Sequence, residues 1–237
     1  MEKTQVQAFI HRDYPSRVMA DYVLKKGVGS IVFEAEEALV LKVGQGSMFA
    51  VYADNMQAAQ QCLPYVREAK FITAETEEMG HSFLETLENY QKLLTFYTYH
   101  YPHKEFIKVG EKARLAPARP EHLHIILENY AHITEEKARE DLQNGDILGA
   151  YVEGELAGFI GFHEEGSIGM LVVLPAYRRT GLGFQLEGAA INRQLSQGLP
   201  PYCQVRVDNE PSQQLQKKLG MIRCETPCLW MVKHGDA

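Results

Sequence analysis

Apolar runs of strand length alternate with amphipathic stretches along the whole chain. The runs fall at residues 30–33, 38–43, 48–53, 71–72, 147–152, 156–162, 168–174, 204–207 and 229–232. Start and stop signals frame the stretches between them. Asp13-Tyr14-Pro15 reads as a helix start with Asp13 as N-cap, and Gly27 ends that helix after Lys26. Asn55 caps a helix over 58–67 that bends near Pro64. Thr76-Glu77-Glu78 opens another, with Phe83, Leu87 and Tyr90 on its apolar face. Here two periods compete. Tyr97, Tyr99 and Tyr101 alternate as in a strand, while Phe83, Leu87, Tyr90, Leu94 and Tyr97 keep helical spacing. The expectation is a helix to about Gln91, then a strand over 95–101.

After a charged connector at 103–113, residues 114–118 read as a short edge strand. Helices start at Pro120-Glu121 and at Thr134-Glu135-Glu136, the second closing at Asn144-Gly145. Glu153-Gly154-Glu155 between two apolar runs is a hairpin signal. Pro211 to Leu219 reads as a last helix, stopped by Gly220. Strands and helices interleaved in this way predict an α/β (α+β) fold.

The stretch with most chemistry is 168–185. Ile168 to Leu174 is an apolar, β-branched run suited to a buried central strand, and Pro175 stops it. Arg178-Arg179-Thr180-Gly181-Leu182-Gly183 follows, an R-x-x-G-x-G loop. Leu182, Leu186 and Ala189 then begin a helical pattern. A strand, a basic glycine loop and a helix start can hold a pyrophosphate: unpaired N–H groups and the positive dipole end attract it. Gly181 and Gly183 admit close backbone approach, and Arg178 and Arg179 add charge. The pattern is neither the G-x-G-x-x-G dinucleotide fingerprint nor a P-loop.

Residues 171–183 resemble the acyl-CoA-binding motif of the GNAT superfamily of N-acetyltransferases. Asp208-Asn209-Glu210-Pro211-Ser212, Leu215 and Lys218-Leu219-Gly220-Met221 resemble its second motif. Gly198-Leu199-Pro200-Pro201-Tyr202 and Leu229-Trp230 further resemble the glycine N-acyltransferase branch. The resemblance runs from about Arg114. It implies a GNAT-type mixed sheet flanked by helices, with a GNAT domain at 113–237 preceded at 1–112 by a degenerate GNAT-like half. That first half has no R-x-x-G-x-G: its third strand is followed by Asp54-Asn55-Met56-Gln57. It is expected to lack CoA and to wall the substrate cleft.

The resemblance also implies acetyl-CoA or another acyl-CoA as co-substrate, with pantetheine lying along Leu171, Val172 and Val173 like an added strand. Arg178, Arg179, Thr180, Gly181, Leu182 and Gly183 would take the pyrophosphate, and Asn209 and Ser212 the pantetheine arm. Acyl transfer to an amine needs a base for the amine proton and an N–H donor for the oxyanion. Backbone N–H groups near Val172 and Val173 are the candidates for the second task. In the glycine N-acyltransferases a glutamate is proposed as base where this chain has Ser167. His163, Glu164 and Glu165, just before it, are the candidates here. Many family members carry a tyrosine after the leucine of the last helix, where Leu215 is followed by Gln216. That departure keeps open a catalytically weak acyl-CoA-binding or regulatory protein. Another phosphate ligand of the loop is a third reading.

Composition narrows the rest. The 237 residues are 45% hydrophobic and 23% charged, ordinary for a globular protein. The formal charge of -7 argues against general nucleic-acid binding. No apolar run reaches membrane-spanning length, and residues 1–5 lack a signal-peptide core. With four cysteines, these features point to a cytoplasmic protein. Cys224 and Cys228 have no second ligand pair at metal spacing, so no metal is expected. The acceptor is expected to be a small amine or amino acid.

Overall fold

The structure is a computed structural model and describes residues 3–235 apart from Gln45. Two helices, α1 (Lys3–Arg12) and α2 (Tyr14–Lys26), precede a meander of β1 (Gly29–Ala35), β2 (Ala38–Val43) and β3 (Met48–Ala53). Then come α3 (Met56–Val66), β4 (Phe71–Ala74), α4 (Glu77–Thr86) and β5 (Tyr90–His100). The second half opens with β6 (Arg114–Pro117), one tight helical turn at Pro120–His122, α5 (Leu123–Asn129) and α6 (Glu135–Asn144). The hairpin β7 (Leu148–Val152) and β8 (Glu155–Phe162) leads to β9 (Ile168–Val173) and α7 (Leu182–Ser196). β10 (Tyr202–Arg206), α8 (Glu210–Lys218), β11 (Ile222–Arg223) and β12 (Cys228–Lys233) complete it.

The described strands form one mixed sheet in the order β1-β2-β3-β4-β12-β5-β10-β9-β8-β7-β6, with β11 on β5. Helices cover both faces, which explains the unbroken apolar runs. In β2, Val40 joins the cluster under α3 and α4, while Leu39 and Leu41 join the one under α1 and α2. In β9, Leu171 and Val173 face α7, while Met170 and Val172 pack with Ile126 of α5 and Leu142 of α6.

β5 joins the halves. Tyr90 to Phe96 pair with β12, and Phe96 to His100 pair with β10. β12 is the last strand in sequence, yet it lies between β4 and β5. Trp230 strengthens the seam by donating from its indole to Gln204 Oε1 at 3.0 Å.

Helix signals held where side chains cap. Asn55 accepts from Ala58 N–H, Thr76 from Met79 N–H and Thr134 from Lys137 N–H. Three expectations need correction. Asp13 occupies the N-cap of α2 but makes no side-chain cap bond; its backbone carbonyl accepts from Arg17 N–H. α4 ends at Thr86 rather than near Gln91, and Tyr90 already belongs to β5. The reason is tertiary: β12, supplied from the far end of the chain, extends the ladder back to Tyr90, whose hydroxyl bonds the Ala69 carbonyl at 2.5 Å. α1 was not anticipated, although Val6, Phe9 and Ile10 bury its inner face.

Candidate active site

β9 is fully laddered on one side only. Against β8 it pairs Ile168, Gly169, Val172 and Val173, with an irregularity between. Against β10 it makes a single pair, Ile168 with Cys203. From Gly169 onward the β10-facing edge therefore has no ladder partner among the described residues, which leaves it open to a ligand. Met170 marks the start of this open section with φ 54, a left-handed kink that costs a non-glycine residue and bends the strand. Because Leu171, Val172 and Val173 send their side chains into the two cores, they offer the opening chiefly backbone.

The open strand leads into the basic loop. A tight turn at Pro175–Tyr177 reverses the chain, and Thr180 Oγ1 donates to the Tyr177 carbonyl at 2.6 Å. Arg178 Nε donates to the Val173 carbonyl at 3.2 Å, while Arg179 is exposed at φ 64. Gly181 has φ 91, which a side chain resists, and it occupies the N-cap position of α7. Buried Leu182 anchors the helix start, and Gly183 faces Leu215 of α8. The connector adds a cation that its mixed composition concealed. Lys112 Nζ donates to the Thr180 carbonyl at 2.6 Å and lies under Gly181. The loop thus gathers Arg178, Arg179 and Lys112 around a helix N-terminus. Asn209 caps α8, accepting from Ser212 N–H at 3.2 Å.

The other end of β9 begins with the turn His163-Glu164-Glu165-Gly166-Ser167. His163 N–H bonds the Ser167 carbonyl and Gly166 N–H the His163 carbonyl. Glu165 points inward and is only 5% exposed; Ser167 Oγ donates to its carboxylate at 2.5 Å. Tyr202 OH donates to the Glu165 carbonyl at 2.6 Å. His163 and Glu164 instead line a cleft of about 310 Å³ between the end of α2, the end of α6 and the end of α7. The imidazole also lies against the backbone of Gly169: a Cβ there would sit 2.0 Å from His163 Nε2. His163 therefore reaches from the cleft to the first residue of the open edge. Tyr130 OH is 3.4 Å from the same nitrogen, and burial, then the Glu165 charge, pushes that phenol up to about 12. The loop residues are thus together at one end of β9. His163 and Glu164 lie at the other, with Glu165 buried beside them.

A polar group with no local marker in the chain sits between α7, α8 and β10. Glu187 on α7 is buried, and its Oε1 accepts from Gln216 Nε2 at 2.8 Å. Burial pushes its carboxyl up to about 7, and the Cys203 thiol lies beside it. Among the described residues no group of His, Cys, Asp and Glu could hold a metal ion, and no helix is long and apolar enough to cross a membrane.

The open strand, the glycine loop and the helix behind it fall inside residues 88–221, which match the model of the acetyltransferase (GNAT) family. The chain belongs to that family, whose enzymes transfer acyl groups from acyl-CoA. No curated protein matches it. Among solved structures, a Drosophila melanogaster protein is similar at TM-score 0.64 and 13% identity, over 94% of this chain and 89% of that one. A GCN5-related N-acetyltransferase from Kribbella flavida is similar at TM-score 0.60 and 10% identity, over 93% and 96%. A GCN5-related N-acetyltransferase-like protein from Streptococcus suis is similar at TM-score 0.53 and 15% identity, over 97% and 99%. At such identities the likeness is one of fold, and it extends over both halves.

Proposed function

We propose that this protein is an acetyl-CoA-dependent N-acetyltransferase of the cytoplasm acting on a small amine or amino acid. The observation that carries this reading is the single ladder pair between β9 and β10, which leaves an open strand edge running into the basic start of α7. In this reading residues 113–237 hold acetyl-CoA, and residues 1–112 are a degenerate acetyltransferase-like half that closes the acceptor cleft. Arg178, Arg179 and Lys112 take the pyrophosphate with the N–H groups of Gly181, Leu182 and Gly183. The acyl arm lies along Leu171, Val172 and Val173, and Asn209 and Ser212 meet the pantetheine.

The acceptor enters through the cleft. Its ammonium meets Glu164, and His163 takes one proton from it. The freed lone pair attacks the thioester carbonyl carbon, and the oxyanion is met by a backbone N–H of the open β9 edge. The C–S bond then breaks, its electron pair leaves with the CoA sulfur, and the second proton of the attacking nitrogen passes to that thiolate. Of the candidate bases, His163 combines access to the cleft with contact to the open strand. Buried Glu165 shapes the turn. The four cysteines are free and buried, which supports a reducing compartment. Ser167 and Gln216, which depart from the glycine N-acyltransferase pattern, favour the second reading, an acyl-CoA-binding protein with weak turnover.

Isothermal calorimetry with acetyl-CoA tests the site. The parent binds, and Gly181→Val, which forces a β-branched residue to φ 91 against Lys112, loses binding. CoA release with an amine panel then separates enzyme from binding protein. Equal acetyl-CoA affinity of parent and Gly181→Val removes the loop from the site.

A further inference from the structure

Two charges on the cleft rim lack partners. Lys26, at the end of α2, and Glu164, in the turn before β9, both line the cleft, and neither makes an ion pair or hydrogen bond among the described residues. The other charges there are committed. Lys137 Nζ is 2.6 Å from Asp141, and Arg193 is 2.7 Å from Asp146 while its guanidinium covers the Phe162 ring. The two free charges belong to different halves, and the fold brings them to one cleft. Gly44 N–H donates to the Val28 carbonyl at 2.6 Å, tying the β2–β3 turn to the chain just past α2. Glu164 reaches that same turn: a Cβ on Gly44 would lie 2.0 Å from Glu164 Oε1. An ammonium and a carboxylate thus share one rim without neutralising each other.

A ligand that satisfies both groups carries an anion and a cation. A plain amine would leave Lys26 facing a second positive charge, and a dianion would oppose Glu164. Resting on the acetyltransferase reading above, we infer that the acceptor is an amino carboxylate in its zwitterionic form: its carboxylate pairs with Lys26 and its ammonium with Glu164. Lys26, supplied by the half that lacks the CoA loop, is then the residue that selects acceptors by charge. The ammonium is held within reach of His163, which gives the amine its route to the open edge of β9. The reaction converts the zwitterion into a neutral amide that keeps its carboxylate. The product has lost the charge Glu164 held, which favours its release.

The test compares the twenty common amino acids with their α-carboxamides as acceptors. CoA release is followed with acetyl-CoA, and acetyl-CoA affinity is measured in parallel by calorimetry. The expected result is at least one amino acid acetylated with kcat/KM about tenfold or more above that of its amide, an energy scale of about 1.4 kcal/mol. Lys26→Met abolishes that preference by raising KM for the acid, leaving kcat, the amide and acetyl-CoA affinity unchanged. Lys26→Glu inverts it in favour of the amide. Lys26 is exposed, so both variants fold. Acids and amides used equally well by the parent overturn the inference, as does an equal loss for both in Lys26→Met. If acetyl-CoA binds but no amino acid in the panel is acetylated, the amino-carboxylate acceptor is refuted while the CoA site stands. If acetyl-CoA does not bind at all, the acetyltransferase reading falls and this inference with it.

Discussion

Replacing Glu187 with glutamine isolates the one buried carboxyl between α7 and α8. Glu187 is 3% exposed; Gln216 bonds its Oε1, and its Oε2 has no partner. Burial raises the carboxyl from its ordinary 4.5 to about 7. The sign follows from linkage. Between those two values the folded protein holds a proton that the unfolded chain has released, so stability is full at about pH 4.5 and falls as pH rises to about 7. That interval, at about 1.4 kcal/mol per pH unit, amounts to roughly 3 kcal/mol. Glutamine keeps the shape, still accepts from Gln216, and offers its amide N–H to the unpartnered Gln216 Oε1. Urea unfolding from about pH 4.5 to about pH 8.5 reads the effect. Glu75 and Asp141 are also raised by burial, but both remain in the variant, so their contribution cancels in the difference. The variant should gain about 3 kcal/mol on the parent across the interval, with unchanged m-value. Parallel stability curves would refute the account, because they would mean that Glu187 is already ionised or hydrated in the folded protein.

Arg178→Ala should weaken acetyl-CoA by about 1–3 kcal/mol in calorimetry, with a much smaller loss for a pantetheine fragment lacking phosphates; equal losses would remove Arg178 from the phosphate site. Lys112→Met should act in the same direction, since Lys112 both holds Thr180 and adds charge; unchanged binding would make it a strut only. His163→Gln should lower kcat by about 10²–10⁴ and flatten the limb of the pH–rate profile that reports the base, with acetyl-CoA affinity intact. Glu165→Gln should spare that limb, and the opposite pattern would transfer the role to Glu165. Thr76→Ala should cost about 1 kcal/mol of stability by leaving Met79 N–H uncapped, as read by chemical denaturation.

Short-range signals in the chain set the local elements and the ligand loop. β2, β3 and the caps at Asn55, Thr76 and Thr134 are written in runs of a few residues, because apolar alternation and side-chain capping act over less than two turns. The loop at 178–183 was legible for the same reason: strand, proline, arginines, glycines and helix are consecutive. Tertiary structure decided what depends on partners far along the chain. The start of β5 at Tyr90 could not be read, because its partner β12 lies some 140 residues later and overrides a helical spacing that is equally present. Lys112 looked like one charge in a mixed connector until the fold placed it under Gly181. Glu187 stood between Leu186 and Gly188 with nothing to mark it as buried. Among His163, Glu164 and Glu165, adjacent residues of similar polarity, the local sequence had no means of choosing. Packing made the choice: Tyr202 and Ser167 hold Glu165 inside, the Gly44 turn draws Glu164 to the rim, and Gly169 leaves room for His163 to reach the open edge of β9.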